Sequence, residues 1–150
     1  MNRVAIIGAG QFGMAFAESL SEAGVEVLLV ERNGNLVQSA VNVVSRAVQG
    51  DATNARALED AGLKECDMAV VAIGANVEAS LLATANCKEL GVPTVISKAS
   101  SELHGRILKK IGADQVVFPD RESACRLARS VMDSESTAGD KPSDAVTNES

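Results

Sequence analysis

Gly8-Ala9-Gly10-Gln11-Phe12-Gly13 fits the pattern G-x-G-x-x-G, directly after an apolar run at 4–7 and at the start of a stretch with helical periodicity. Each glycine has a physical task. Gly8 permits a tight turn, Gly10 lets backbone N–H groups approach a pyrophosphate with no Cβ in the way, and Gly13 lets a helix pack close to the strand. A helix that opens at Gln11 and Phe12 presents unpaired N–H groups and the positive end of its dipole to phosphate oxygens. Glu31 follows the second apolar run, 18 residues beyond Gly13. A carboxylate there accepts hydrogen bonds from ribose hydroxyls and repels a 2′-phosphate. Its neighbour Arg32 offers a guanidinium that stacks on a base or reaches such a phosphate. A solvated Glu-Arg turn is the plainer alternative.

Two further segments could complete such a site. Gly50-Asp51-Ala52-Thr53 follows the third apolar run, at the edge where the adenosine half of a ligand would lie. Asp51 and Thr53 are equally consistent with a turn and a helix N-cap. Ala72-Ile73-Gly74-Ala75-Asn76 follows the fourth run, and its small residues would let backbone approach the second half of a dinucleotide. Asn76 itself reads as an N-cap, with Glu78 favourable in the first turn.

Catalytic equipment is sparse. His104 is the only histidine, and in its helical setting it reads as a surface or helix-end residue without an orienting partner for general-base work. No nucleophile elbow, carboxylate pair or metal-ligand cluster is present. Cys66, Cys87 and Cys125 are odd in number and far apart, which excludes a disulfide framework and a zinc ribbon.

The elements that must position these residues alternate between two periods. Apolar runs at 4–7, 25–30, 44–48, 68–73, 94–96 and 116–118 are separated by stretches with apolar residues three and four apart. Phe12, Phe16, Leu20 and Ala23 share one expected helix face, Val77, Leu81, Leu82 and Ala85 a second, and Leu103, Ile107 and Ile111 a third. Gly24, Gly62, Gly91 and Gly112 fall where these helices should end. Continuous apolar strands between helices predict a parallel sheet covered on both faces. The expectation is a doubly wound, Rossmann-like α/β domain with six strands in the order 3-2-1-4-5-6 and ligand at the switch point between strands 1 and 4.

The chain has 150 residues, 46% of them hydrophobic and 23% charged, with a net charge of −6, so one globular domain is expected. Negative charge and only three aromatic residues argue against nucleic acid as a partner. The amino-terminal apolar run is too short for a signal peptide, and the chain reads as cytoplasmic with no direct membrane insertion. Residues 1–132 form the expected domain; residues 133–150, with five acids and one lysine, form an acidic tail whose composition predicts disorder.

The pattern over residues 2–132 resembles the N-terminal nucleotide-binding domain of the RCK family, also called Trk or Ktr N-domains, the cytosolic gating subunits of potassium channels and transporters. The features that carry the resemblance are Gly50-Asp51-Ala52-Thr53, Lys98-Ala99 after the fifth run, and the late stretch from His104-Gly105-Arg106 through Gly112-Ala113-Asp114 to Phe118-Pro119-Asp120. The resemblance implies that Gly8, Gly10 and Gly13 cradle phosphates and that Glu31 holds the ribose. It places Asp51 and Ala52 on the adenine side and Lys98 near the phosphate end. It also implies NAD(H), ADP or ATP as a regulatory ligand that is not turned over, a homo-oligomer (dimer or ring), and an integral-membrane potassium channel or transporter subunit as partner. Some members carry Arg where this chain has Gln11, so ATP gains no special advantage here. The family's Pro-Glu before the last helix is Pro119-Asp120, with Asp120 expected as an N-cap and no metal site assigned. In the last helix, Ala124, Leu127, Ala128 and Val131 form an apolar stripe that either covers the sheet or, by the resemblance, crosses to a partner subunit. The other functional class open to the residues alone is the cofactor-binding domain of an NAD-dependent oxidoreductase whose catalytic domain lies elsewhere; a purely structural assembly domain is a third.

Overall fold

β-branched and aliphatic residues dominate six short segments that pair as one parallel sheet: β1 (Arg3–Ile7), β2 (Glu26–Glu31), β3 (Arg46–Gln49), β4 (Met68–Val71), β5 (Thr94–Lys98) and β6 (Gln115–Val117). In the computed structural model, which describes residues 2–139, their order is β3-β2-β1-β4-β5-β6. This is the expected order. Both β1 neighbours are parallel, with Ile7 opposite Val30 on one side and Val71 on the other. The reversal of strand order at β1 therefore opens a crevice beyond the carboxyl ends of β1 and β4.

Alternate residues of each strand feed opposite layers of the core. Ala5, Ile7, Leu28, Val30, Ala69 and Val71 face one layer with Leu58, Leu63, Ala83 and Cys87. Those helical residues come from α3 (Ala55–Ala61), a 3-10 turn at Leu63–Glu65 and α4 (Val77–Glu89). Val4, Ile6, Val27, Leu29 and Val70 face the other layer with Ala17, Ala40 and the partly buried Phe12, Phe16 and Leu20, from α1 (Gln11–Glu22) and α2 (Gly34–Ala40). A third, smaller cluster joins Leu108 of α5 (Glu102–Ile111) to Leu81, Val116 and Phe118.

Two of the three expected helix faces are displaced. On α4 the buried residues are Ser80, Ala83, Thr84 and Cys87, while Val77 and Leu82 are exposed. On α5 they are His104, Gly105 and Leu108, while Leu103 is exposed. Close packing explains the shift on α5. A Cβ on Gly105 would stand 2.7 Å from the Phe118 ring, so only a small residue fits beneath that ring. Large apolar side chains mark the core face only where the neighbouring element is far enough away to accept them. Ala23 is the exposed C-cap of α1 instead of part of its packed face.

The strand limits shift as well. Val44 is buried but precedes β3, and the next residue, Ser45, accepts the Val27 N–H through its hydroxyl at 3.1 Å. Phe118 lies just past β6.

The chain divides into two compact units at Phe118 and Pro119. The second contains α6 (Pro119–Gly139), which runs past the expected boundary at 132. Pro119 is its first residue, a position that suits a residue with no N–H; Asp120 therefore lies inside the first turn and is not the N-cap. Every side chain from residue 120 to 135 is exposed. The tail expected at 133–150 lies outside the described residues beyond 139.

Candidate functional site

The turn after β1 is held by its own backbone and by one carboxylate. Gly8 has φ +104°, a conformation open chiefly to glycine, and its N–H donates to the Val30 carbonyl at 2.9 Å. A Cβ on Gly13 would collide with the Gly8 carbonyl oxygen, whereas one on Gly10 would meet nothing within 4 Å. Gly10 is the N-cap of α1, and its side chain position faces open space at the helix N-terminus. These residues fit a phosphate group, since the space a Cβ would take is free and the first N–H groups of α1 lie beside it.

Glu31 ends β2 against this loop. Its Oε1 accepts the Ala9 N–H at 2.7 Å and its Oε2 accepts the Asn33 N–H at 2.8 Å. Both bonds tie the carboxylate to backbone, so its charge is fixed in place next to the glycine loop. Each oxygen keeps further acceptor capacity for a sugar hydroxyl.

The loop after β3 is an Asx turn. Asp51 Oδ1 accepts the Thr53 N–H at 3.0 Å and the Thr53 hydroxyl at 2.7 Å. These bonds, the backbone one foremost, hold the Asp51 carboxyl below its ordinary pKa, and the Arg32 guanidinium adds to the effect. The turn expected as the plainer reading of this loop is present, but the helix cap is not Thr53. Asn54 caps α3 and accepts the Arg56 and Ala57 N–H groups.

Gly8, Glu31, Arg32, Asp51, Ala52, Thr53 and Ile73 converge on one cleft of about 200 Å³. Gly50, from the expected segment at 50–53, completes its lining with Ile7, Val30, Asn76 and Ala79, and these last four were not among the expected binding residues. Ile7 could have been inferred as the last residue of β1 at the switch point and Val30 as its neighbour on β2; Ala79 shows itself only once α4 is placed. Asn76 does cap α4, accepting the Ala79 N–H at 3.0 Å. The remaining expected residues, Gly10, Gln11, Phe12, Gly13, Ala72, Gly74 and Lys98, do not line this cleft. Lys98 ends β5 and is half-buried. Its Nζ lies 5.7 Å from the centre of the Phe12 ring and would be 2.9 Å from a Cβ on Gly74.

His104 departs most from expectation. It is 2% exposed and links α4 to the turn after β5. Its Nδ1 accepts the Ser100 N–H at 3.0 Å, so Nε2 carries the proton and donates to Ser80 Oγ, also at 3.0 Å. Burial pushes the imidazole below its ordinary pKa. Thr84 extends the buried polar chain through the Ser80 carbonyl at 2.9 Å and Ser97 Oγ at 2.8 Å. The residue read as an exposed helix-end group is thus a strut between α4 and the turn after β5. A lone histidine beside apolar periodicity gives no sign of the serines that will satisfy it.

Burial raises the Cys66 thiol to about 11 and the Cys87 thiol to about 12, so both stay protonated near neutral pH. Among the described residues no group of three or more His, Cys, Asp or Glu side chains is placed to hold a metal ion.

The sheet order and the glycine loop at its switch point place the first unit in the Rossmann-like class of domains. More narrowly, the TrkA-N domain model matches residues 4–119, and the chain belongs to that family. It is 42% identical over 128 residues to the Ktr system potassium uptake protein C of Bacillus subtilis strain 168, covering 85% of this chain and 58% of that protein. Similarity to the Ktr system potassium uptake protein A of Vibrio alginolyticus is 40% over 129 residues, 86% of this chain and 59% of the relative. The chain therefore spans under three fifths of the length of these relatives. Among solved structures, the GsuK RCK domain superposes with a TM-score of 0.74 at 27% identity, over 91% of this chain and 29% of that one. The GsuK channel bound to NAD gives 0.68 at 17% identity, over 77% and 21%. GsuK bound to ADP gives 0.67 at 17%, over 77% and 31%.

Proposed function

We propose that this chain is a nucleotide-sensing regulatory domain of a potassium-uptake system. It binds an adenine nucleotide, NAD(H) or ADP, between the glycine loop and the loop at Asp51, and does not turn it over. One observation carries the reading: two fixed carboxylates, Glu31 and Asp51, line one cleft together with Gly8 of the glycine loop. A phosphate on the α1 N-terminus and a ribose on Glu31 follow from that placement. NAD and ADP in the GsuK structures and the potassium-uptake names of the relatives support the ligand class and the setting.

No helix among the described residues is long and apolar enough to cross a membrane. In this reading conduction belongs to an integral-membrane channel or transporter subunit, with the present domain on its cytoplasmic side. Regulation requires that the ligand favour one arrangement of an assembly over another. Homo-oligomer formation draws support from α6, where Leu127, Val131 and Met132 are 66%, 56% and 65% exposed. An apolar stripe of that kind on a lone chain is a candidate contact for another copy.

Titration calorimetry with ADP, NADH, NADPH and ATP tests the ligand reading, and ADP or NADH should bind without formation of a product. Hydride transfer or phosphate release by the protein would turn the reading toward an enzyme. Light scattering tests assembly: wild type should exceed the monomer mass, and Leu127→Asp should lower it without loss of helix content.

A further inference from the structure

The Ala52–Thr53 peptide is held at both ends. Its N–H donates to Asp51 Oδ1 at 3.0 Å, and its carbonyl accepts the Asn86 side-chain amide at 2.9 Å. The N–H and C=O of a trans peptide point in opposite directions. Two partners on opposite sides therefore fix the rotation of that peptide plane. Asn86 reaches across 34 positions of sequence from α4 and is partly buried, yet it does not line the cleft.

The consequence falls on Asp51. With the peptide plane fixed, the Thr53 N–H and hydroxyl both engage Oδ1, and Oδ2 has no hydrogen-bond partner among the described residues. Asp51 is exposed and lines the cleft with Gly50 and Ala52, so a carboxylate with an open lone pair is available to a ligand there. An ionised carboxylate only accepts hydrogen bonds, which suits the exocyclic amino group of adenine and opposes a base with a carbonyl oxygen at that place. Without Asn86 the Ala52 carbonyl would lose its partner, the plane would turn, and the Thr53 N–H would no longer hold Asp51 in this orientation.

We propose that Asn86 is a positioning residue for base selection: through the Ala52 carbonyl it sets the orientation of the Asp51 carboxylate. The proposal rests on the nucleotide-binding reading above. Its test compares ADP with inosine diphosphate, which carries a carbonyl oxygen in place of the amino group, in calorimetry of the whole chain. A hydrogen bond to a charged group corresponds to about a tenfold preference for ADP in wild type. Asn86→Ala should reduce that preference below about threefold while affinity for inosine diphosphate stays within about twofold. Asn86→Gln, which keeps an amide donor, should retain part of the preference. Asp51→Asn combined with Asn86→Ala should do no more than Asp51→Asn alone, because both act on one contact.

An Asn86→Ala protein that keeps the wild-type ratio overturns the inference. So does an equal loss for both ligands together with a lower Tm, which is what a structural role alone would give; if Asn86→Ala does not fold, an undiminished ratio in Asn86→Asp decides in the same sense. Wild type that binds both diphosphates equally removes the role of Asp51 and leaves nucleotide binding standing. Wild type that binds neither overturns the functional reading as well.

Discussion

The two sides of β1 are built differently. On the β2–β3 side the cleft is open, and its polar groups are held by backbone: Glu31 by the Ala9 and Asn33 N–H groups, Asp51 by Thr53. On the β4–β5 side Lys98 packs over Phe12 and against Gly74, and the same side carries the buried chain of Ser80, His104, Thr84 and Ser97. The first side is organised before a ligand arrives. On the second, Lys98 has to move for a dinucleotide to extend past Gly74, which costs side-chain ordering that a mononucleotide avoids. A mononucleotide such as ADP should therefore use the preformed groups, and NAD(H) should bear the added cost of displacing Lys98.

The largest expected effect breaks both sides at once. Gly10→Val fills the space that both halves share, and ADP and NADH affinity should fall together by about a hundredfold or more, with no more than about 1 kcal/mol lost from helix capping. Gly13→Ala supplies the contrast. Its Cβ meets the Gly8 carbonyl oxygen, so stability should drop by about 2–3 kcal/mol, read by denaturant unfolding. Equal ligand affinity in wild type and Gly10→Val would falsify the assignment of the loop.

Next in size is the charge on the open side. Glu31→Gln removes the repulsion toward a 2′-phosphate, and the preference for NADH over NADPH should narrow by about tenfold. An unchanged ratio would mean that Arg32, also on the cleft wall, sets the discrimination. Gln11, the exposed first residue of α1, brings no charge to a third phosphate. Wild type should bind ATP no more tightly than ADP, and Gln11→Arg should create a preference for ATP of about tenfold. A tenfold ATP preference already present in wild type would assign that charge to Lys98 or Arg32.

The smallest effect is a pH dependence confined to the strut. Burial lowers the His104 pKa from its ordinary 6.5, so the unfolded chain takes up a proton before the folded one does. The stabilisation is fully present above pH 6.5 and is lost as pH falls from there toward the folded-state value. Thermal unfolding between pH 7.5 and 5 should show this decline in wild type, and His104→Gln should lack that component. Parallel slopes in the two proteins would contradict the neutral, doubly bonded histidine.

The glycine loop, the acid that ends β2 and the caps at Asn76 and Gly62 were legible from residue types, because each depends on interactions within a few positions or on the two-residue and 3.6-residue periods. The strand order followed from the class of fold that the alternating strands and helices define. Gly24, Gly62, Gly91 and Gly112 all adopt positive φ, as expected from glycine's freedom at helix ends. The shifted faces of α4 and α5 were not legible. Their cores use Ser80, Thr84, His104 and Gly105, residue types whose burial depends on a partner elsewhere in the chain.

What local sequence determined, then, is where backbone turns and which end of the sheet is open, since propensity and periodicity act at short range. Tertiary structure alone decided which polar groups meet. Asn86 finds the Ala52 carbonyl, His104 finds Ser80, and Lys98 finds Phe12 only after right-handed crossovers have brought distant strands and helices side by side. A directed contact between side chains needs both ends placed within about 3 Å, and no pattern in one segment specifies the position of the other.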